Sequence, residues 1–154
     1  MFKPLRPFFK DPKLSLSEVL ELLRQAFMLS FAAQSSIALL TFLAIWVLKL
    51  SKLIDFSRAS NAVSLSLTLL LIGLSFLPMA FYLAQWRSKK AGRMPALAAA
   101  LALGTMLAMP TWLALFAYVE GLNLLSLALL TLSGLYYLIG LINLRGYAEK
   151  ALSD

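Results

Sequence analysis

The sequence predicts an all-α integral membrane protein: a four-transmembrane-helix bundle, N-in/C-in, with a short amphipathic helical entry at its N-terminal side. Three observations lead there. Hydrophobic residues make up 61% of the 154, against about 45–50% in soluble domains. Charged residues make up only 14%. The charges that exist divide the chain into four long uncharged runs: 24 residues between Arg24 and Lys49, 28 between Arg58 and Arg87, 26 between Arg93 and Glu120, and 24 between Glu120 and Arg145. A bilayer core of about 30 Å needs about 20 helical residues, so each run is long enough. None alternates with the period of two that a barrel strand requires. The expected organisation is a basic tail, residues 1–13, and one membrane domain, residues 14–154. Its spans fall near 24–49, 60–86, 94–119 and 122–145.

The tail, "MFKPLRPFFKDPK", is basic and broken by three prolines. It has no apolar stretch of the kind a secretory signal needs, so the first span is expected to act as an uncleaved signal anchor. Phe2, Phe8 and Phe9 among the lysines suit contact with lipid headgroups or with a partner.

The entry follows. Ser15 and Glu18 have capping-box spacing, with Leu14 and Val19 at the staple positions. Leu16, Leu20, Leu23 and Phe27 share one helix face, and Ser17, Glu21 and Arg24 another. Two readings stand side by side. The segment lies along the membrane surface, or the first span simply begins early, since no Gly or Pro marks a bend.

Orientation follows from Lys and Arg. The tail and entry, the loop between the second and third spans, and the C-terminal end together hold 11; the other face holds 3, namely Lys49, Lys52 and Arg58. The positive-inside rule then places both termini in the cytoplasm of a bacterial-type inner membrane, or its equivalent in an organelle. Trp46 and Tyr118 mark one interface; Tyr82, Trp86 and Tyr147 mark the other. The loop "WRSKKAGRMP" reads as an anchor. Trp86, Arg87, Lys89, Lys90 and Arg93 face headgroups or an acidic partner, Gly92 turns the chain, and Pro95 suits a first helical turn. Nucleic acid is not expected as a partner of so short a patch.

Helices in lipid associate through small residues and interhelical hydrogen bonds. The third span carries Ala96, Ala100, Gly104 and Ala108 at intervals of four. The fourth carries Ser126, Ser133 and Gly140 at intervals of seven. These faces are expected to meet, with Gly140 level with Ala100. The second span has a polar stripe, Asn61, Ser64, Thr68, Ser75 and Tyr82, and the first has Ser30, Gln34 and Thr41. Antiparallel pairing would bring Gln34 level with Ser75, and Thr41 level with Thr68. Pro78 and Pro110 each free the carbonyl four residues earlier, at Leu74 and Met106. Thr111 and Trp112 are placed to line a small cavity. Tyr136 and Tyr137 lie too deep for a belt, so their hydroxyls need partners.

Chemistry is sparse. There is no Cys and no His, so no cofactor held through His or Cys is expected; lipid or pigment contact stays open. The seven acids are scattered, which offers neither a metal site nor paired carboxylates. None of the four spans holds the ionisable group a coupled transporter uses. The expectation is a non-catalytic accessory, assembly or structural subunit of a larger inner-membrane complex, in contact with membrane lipids and other integral subunits. The alternative is a small oligomeric channel or uncoupled transporter built on the polar stripe of the first two helices; a lipid-modifying or regulatory protein ranks third.

Overall fold

A computed structural model describes residues 14–50, 62–90 and 92–153. The tail, with its three phenylalanines, lies outside the described residues, as do Lys52, Arg58 and Asn61. Among the described residues there are five helices: α1 (Leu16–Leu50), α2 (Ala62–Arg87), α3 (Arg93–Leu107), α4 (Met109–Val119) and α5 (Asn123–Ala151). Four apolar spans result, with α3 and α4 together forming the third.

Helix α1 begins with its cap. The Ser15 amide donates to Glu18 Oε2 at 3.0 Å, and the Glu18 amide reaches back to Ser15 Oγ at 3.4 Å. From there one helix of 35 residues runs without a break, about 52 Å at the usual rise, so it outruns the hydrocarbon layer. No bend separates the amphipathic entry from the span. Its buried face is turned slightly from the expected stripe: Val19, Leu22, Leu23, Ala26 and Phe27 are buried, while Leu16 and Leu20 are half-buried beside them. They share one core with Ala80 and Ala84 of α2, Ala99 and Leu103 of α3, and Leu144 and Ala148 of α5.

The third span is interrupted. Pro110 cannot donate to the carbonyl of Met106 and its ring crowds the turn before it. The helix stops at Leu107 and restarts at Met109, with Ala108 between. The expected single helix over 94–119 is therefore two helices in line. The fourth span runs past the expected end at 145 to Ala151, where Arg145 and Glu149 form an i,i+4 ion pair at 3.0 Å.

The third span is the hub. Half of its apolar stretch is buried, against 6% of the first span's. The first, second and fourth spans all pack against it, the first also touches the fourth, and the first and second are not close neighbours. Chain length explains this. Residues 51–61 can reach roughly 36 Å and force no adjacency between α1 and α2. Residues 120–122 hold α4 and α5 together as a hairpin, as the sequence implies. The larger core lies at the end that holds the start of α1, the loop after α2 and the end of α5, where the Gly92 amide meets the Lys150 carbonyl at 3.5 Å. That end also carries Arg87, Lys89, Lys90 and Arg93 and is called the basic end below. A smaller core, around Leu69, Ala114, Ala117 and Leu129, lies toward the other end.

Candidate functional site

The polar and small residues singled out in the spans converge on the third span, though not in the expected pairs. The ridge Ala96, Ala100, Gly104 and Ala108 is buried along its whole length, but at Gly104 it meets α1 and not α5. A Cβ placed on Gly104 would sit 2.5 Å from the Phe27 carbonyl oxygen and 3.2 Å from the Phe31 amide nitrogen, and would overlap Ser30 Oγ. Only glycine permits so close an approach of two backbones. Ser30 Oγ donates to that same Phe27 carbonyl at 3.0 Å, which keeps its own hydroxyl satisfied at the crossing.

On α5, Ser126, Ser133 and Gly140 do lie on the buried face, together with Leu129, Tyr136, Leu144, Tyr147 and Ala151. The spacing is that of a packed seam with a period near 3.5. The level differs from expectation. Gly140 faces Phe27 of α1 and Leu107 of α3, not Ala100. Matching the midpoints of two helices takes no account of how they cross, and Gly140 lies deeper along the third span than that match implies, level with Leu107.

The hydrogen bonds cluster around that break. The hydroxyls of Thr111 and Ser133 share a buried bond of 2.9 Å. The Ser126 hydroxyl donates to the Ala114 carbonyl at 2.8 Å. Across the other side, the Trp112 indole N–H donates to Gln34 Oε1 at 3.4 Å. The amide near the middle of the first span thus meets the third span. The pairing of Gln34 with Ser75, and of Thr41 with Thr68, is not formed, because α1 and α2 lie apart across the hub. Thr41, Thr68 and Ser75 donate instead to carbonyls of their own helices, Ile37 at 2.8 Å, Ser64 at 2.9 Å and Ile72 at 2.7 Å. Short hydroxyl side chains satisfy themselves this way in a helix without any neighbour. Among the described residues the two stripes therefore line no common path.

Pro78 and Tyr136 explain each other. Pro78 has no N–H for the Leu74 carbonyl. The Tyr136 hydroxyl, buried on α5, donates toward that oxygen at 3.2 Å and toward the Gly73 carbonyl at 3.1 Å. A tyrosine too deep for the interface thus fills the vacancy left by a proline on another span. The ring of its neighbour Tyr137 packs at a tilt against Phe27 and Phe31, centroids 5.7 and 5.1 Å apart. Sequence reasoning marked Pro78 and Tyr136 separately; nothing in the sequence linked them. It passed over Ser35, whose hydroxyl is buried and has no partner among the described residues.

A cavity of about 110 Å³ lies between α1, α4 and α5, with Ala38, Phe42, Thr111, Ala114 and Ser126 in its wall. Thr111 lines it as expected from its place after Pro110; Trp112 does not, being turned to Gln34. Its surface is almost wholly apolar, so it suits a hydrocarbon segment and not a polar solute. At the basic end, Trp86, Arg87, Lys89 and Lys90 are exposed. The Arg87 guanidinium lies 5.5 Å from the Trp86 ring centre. Gly92 turns the loop with a φ of 119°, and Ser88 is buried beneath it.

Four apolar spans, with Leu40, Leu71, Leu127 and Ile142 among the side chains on their outer faces, define a polytopic α-helical membrane protein in contact with lipid. No family model matches the chain, and neither a curated protein nor a solved structure is significantly similar to it.

Proposed function

We propose that this chain is a non-catalytic accessory, assembly or structural subunit of a larger inner-membrane complex, acting through helix packing and lipid contact. The observation that carries the reading is the closure of the polar groups of the stripes and the third span, Ser35 excepted. Gln34, Trp112, Thr111, Ser133, Ser126 and Tyr136 bond one another or backbone between spans; Thr41, Thr68 and Ser75 bond their own helices. A route for a polar solute needs such groups turned toward a common space. The outer faces of the first, second and fourth spans are broad and apolar, which suits lipid and the helices of neighbouring subunits equally.

The basic end is the cytoplasmic end on this reading, because 11 of the 14 Lys and Arg lie in the sequence segments that lead into or out of it. Trp86, Arg87, Lys89, Lys90 and Arg93 then face the anionic leaflet, at about 1 kcal/mol per charge, or an acidic partner surface. The partners are membrane lipids and other integral subunits, with no nucleic acid.

The test is purification of the tagged chain from native membranes in a mild detergent, with quantitative mass spectrometry. Other membrane polypeptides at fixed stoichiometry support the reading. A homo-oligomer alone, which moves solute when placed in liposomes, overturns it in favour of a channel.

A further inference from the structure

The lateral face between α1 and α5 holds an open groove of about 310 Å³, lined by Glu21, Arg24 and Met28 of α1 and by Leu141 and Ile142 of α5. Its chemistry is graded along the membrane normal. Arg24 is the last charge before the uncharged run of the first span, and Arg145, one turn beyond Leu141 and Ile142, is the first charge after that of the fourth. These two residues set the headgroup level on both helices. Glu21 lies one turn outside that level and Met28 one turn inside it. One turn deeper on α5, Tyr137 packs on Phe27 and Phe31 and ties the two helices together below the groove.

The two charges differ from their neighbours. Arg145 is engaged by Glu149 at 3.0 Å. Arg24 has no ion pair or hydrogen bond among the described residues, and Glu21 accepts only a 3.4 Å bond from the neutral amide of Gln25. The pair, three residues apart, is not joined to itself. The groove thus presents a guanidinium unpaired among the described residues at the headgroup level and a carboxylate one turn outside it, with a thioether and two branched aliphatic side chains directly beneath.

We infer that this groove is a binding site for one zwitterionic phospholipid with a primary ammonium headgroup. The phosphate accepts from the Arg24 guanidinium, which suits a tetrahedral oxyanion. The ammonium donates to Glu21, and the first part of an acyl chain lies along Met28, Leu141 and Ile142. A purely anionic headgroup leaves Glu21 facing negative charge. A quaternary ammonium leaves it without a donor. This site is separate from the basic loop and stands whether or not the chain serves as a subunit.

Native mass spectrometry of the full chain, released from detergent with phosphatidylethanolamine, phosphatidylcholine or phosphatidylglycerol added at equal concentration, tests the site. The expected result is one phosphatidylethanolamine retained at least fivefold more than either of the others. Arg24→Gln lowers retention of it at least fivefold. Glu21→Gln removes the preference among the three lipids, and Ile142→Trp, which fills the groove, lowers retention of all three. Arg145→Gln, outside the groove, leaves the preference intact. All four positions are exposed, and unchanged helicity by circular dichroism checks that each variant is folded. Equal retention of the three lipids by the unsubstituted chain, a preference for phosphatidylglycerol, or an Arg24→Gln variant that retains lipid as before would overturn the assignment.

Discussion

Replacing Gly104 by alanine probes the crossing of α1 and the third span directly. The added Cβ would lie 2.5 Å from the Phe27 carbonyl oxygen, where ordinary contact begins at 3.4 Å. The obstacle is backbone, so no side chain can turn aside. Helix α1 must retreat by about 0.9 Å, and a gap of that order forfeits a quarter to a half of the dispersion energy of the atoms that face it. Overpacking of this kind costs about 1–3 kcal/mol, opposed by about 1 kcal/mol from the better helix propensity of alanine. Gly134, on the outer face of α5, isolates the second effect, because a Cβ there meets nothing within 4 Å. The difference between Gly104→Ala and Gly134→Ala is therefore the overpacking term itself, about 1–3 kcal/mol, with Gly104→Ala the less stable. The assay is equilibrium unfolding in mixed micelles of a mild detergent and dodecyl sulfate, followed by far-UV circular dichroism. Equal stability of the two variants would refute the close crossing.

Three further outcomes follow from the hydrogen bonds. Tyr136→Phe should destabilise by about 0.6 kcal/mol, the average of measured interhelical bonds, and by no more than about 1.7. That loss should shrink in a Pro78→Ala background, where the new amide satisfies Leu74; a double-mutant cycle measures it. Thr111→Val and Ser133→Ala should couple by about 0.6 kcal/mol, since each removes the same buried bond, and additive losses in the same unfolding assay would contradict the contact. Gln34→Leu should alter the fluorescence of Trp112 in a chain whose Trp46 and Trp86 are replaced by Phe, because the indole loses its acceptor; an unchanged spectrum would place Trp112 elsewhere.

The spans themselves were legible because a bilayer converts length into a sequence signal. Charge cannot enter cheaply, so Arg93 and Glu120 bracket the third span to the residue, while α1 begins before Arg24 and α5 runs on past Arg145 where the helices leave the hydrocarbon. Faces were legible too. The spacing of Ala96, Ala100, Gly104 and Ala108 marks a ridge, and that of Ser126, Ser133 and Gly140 marks a seam. What the spacing does not carry is the direction each face takes around the bundle. Gly104 turned out to face Ser30 because a helical period fixes which residues share a side, not which helix that side meets. The pairing of Gln34 with Ser75 rested on adjacency of consecutive helices, and an eleven-residue connection (51–61) does not impose it. The link between Pro78 and Tyr136 was hidden for another reason. A freed carbonyl and a lone hydroxyl are both visible in the sequence, but their meeting depends on the packing of two spans that are not neighbours along the chain.

The arrangement around the third span, on which the closure of the polar groups depends, has a direct test in a chain with no native cysteine. Cysteine pairs are introduced at Thr111 with Ser133 and, separately, at Gln34 with Ser75, and oxidised in native membranes. A disulfide at the first pair and none at the second is the predicted result. Cross-linking between positions 34 and 75, with none between 111 and 133, would contradict it.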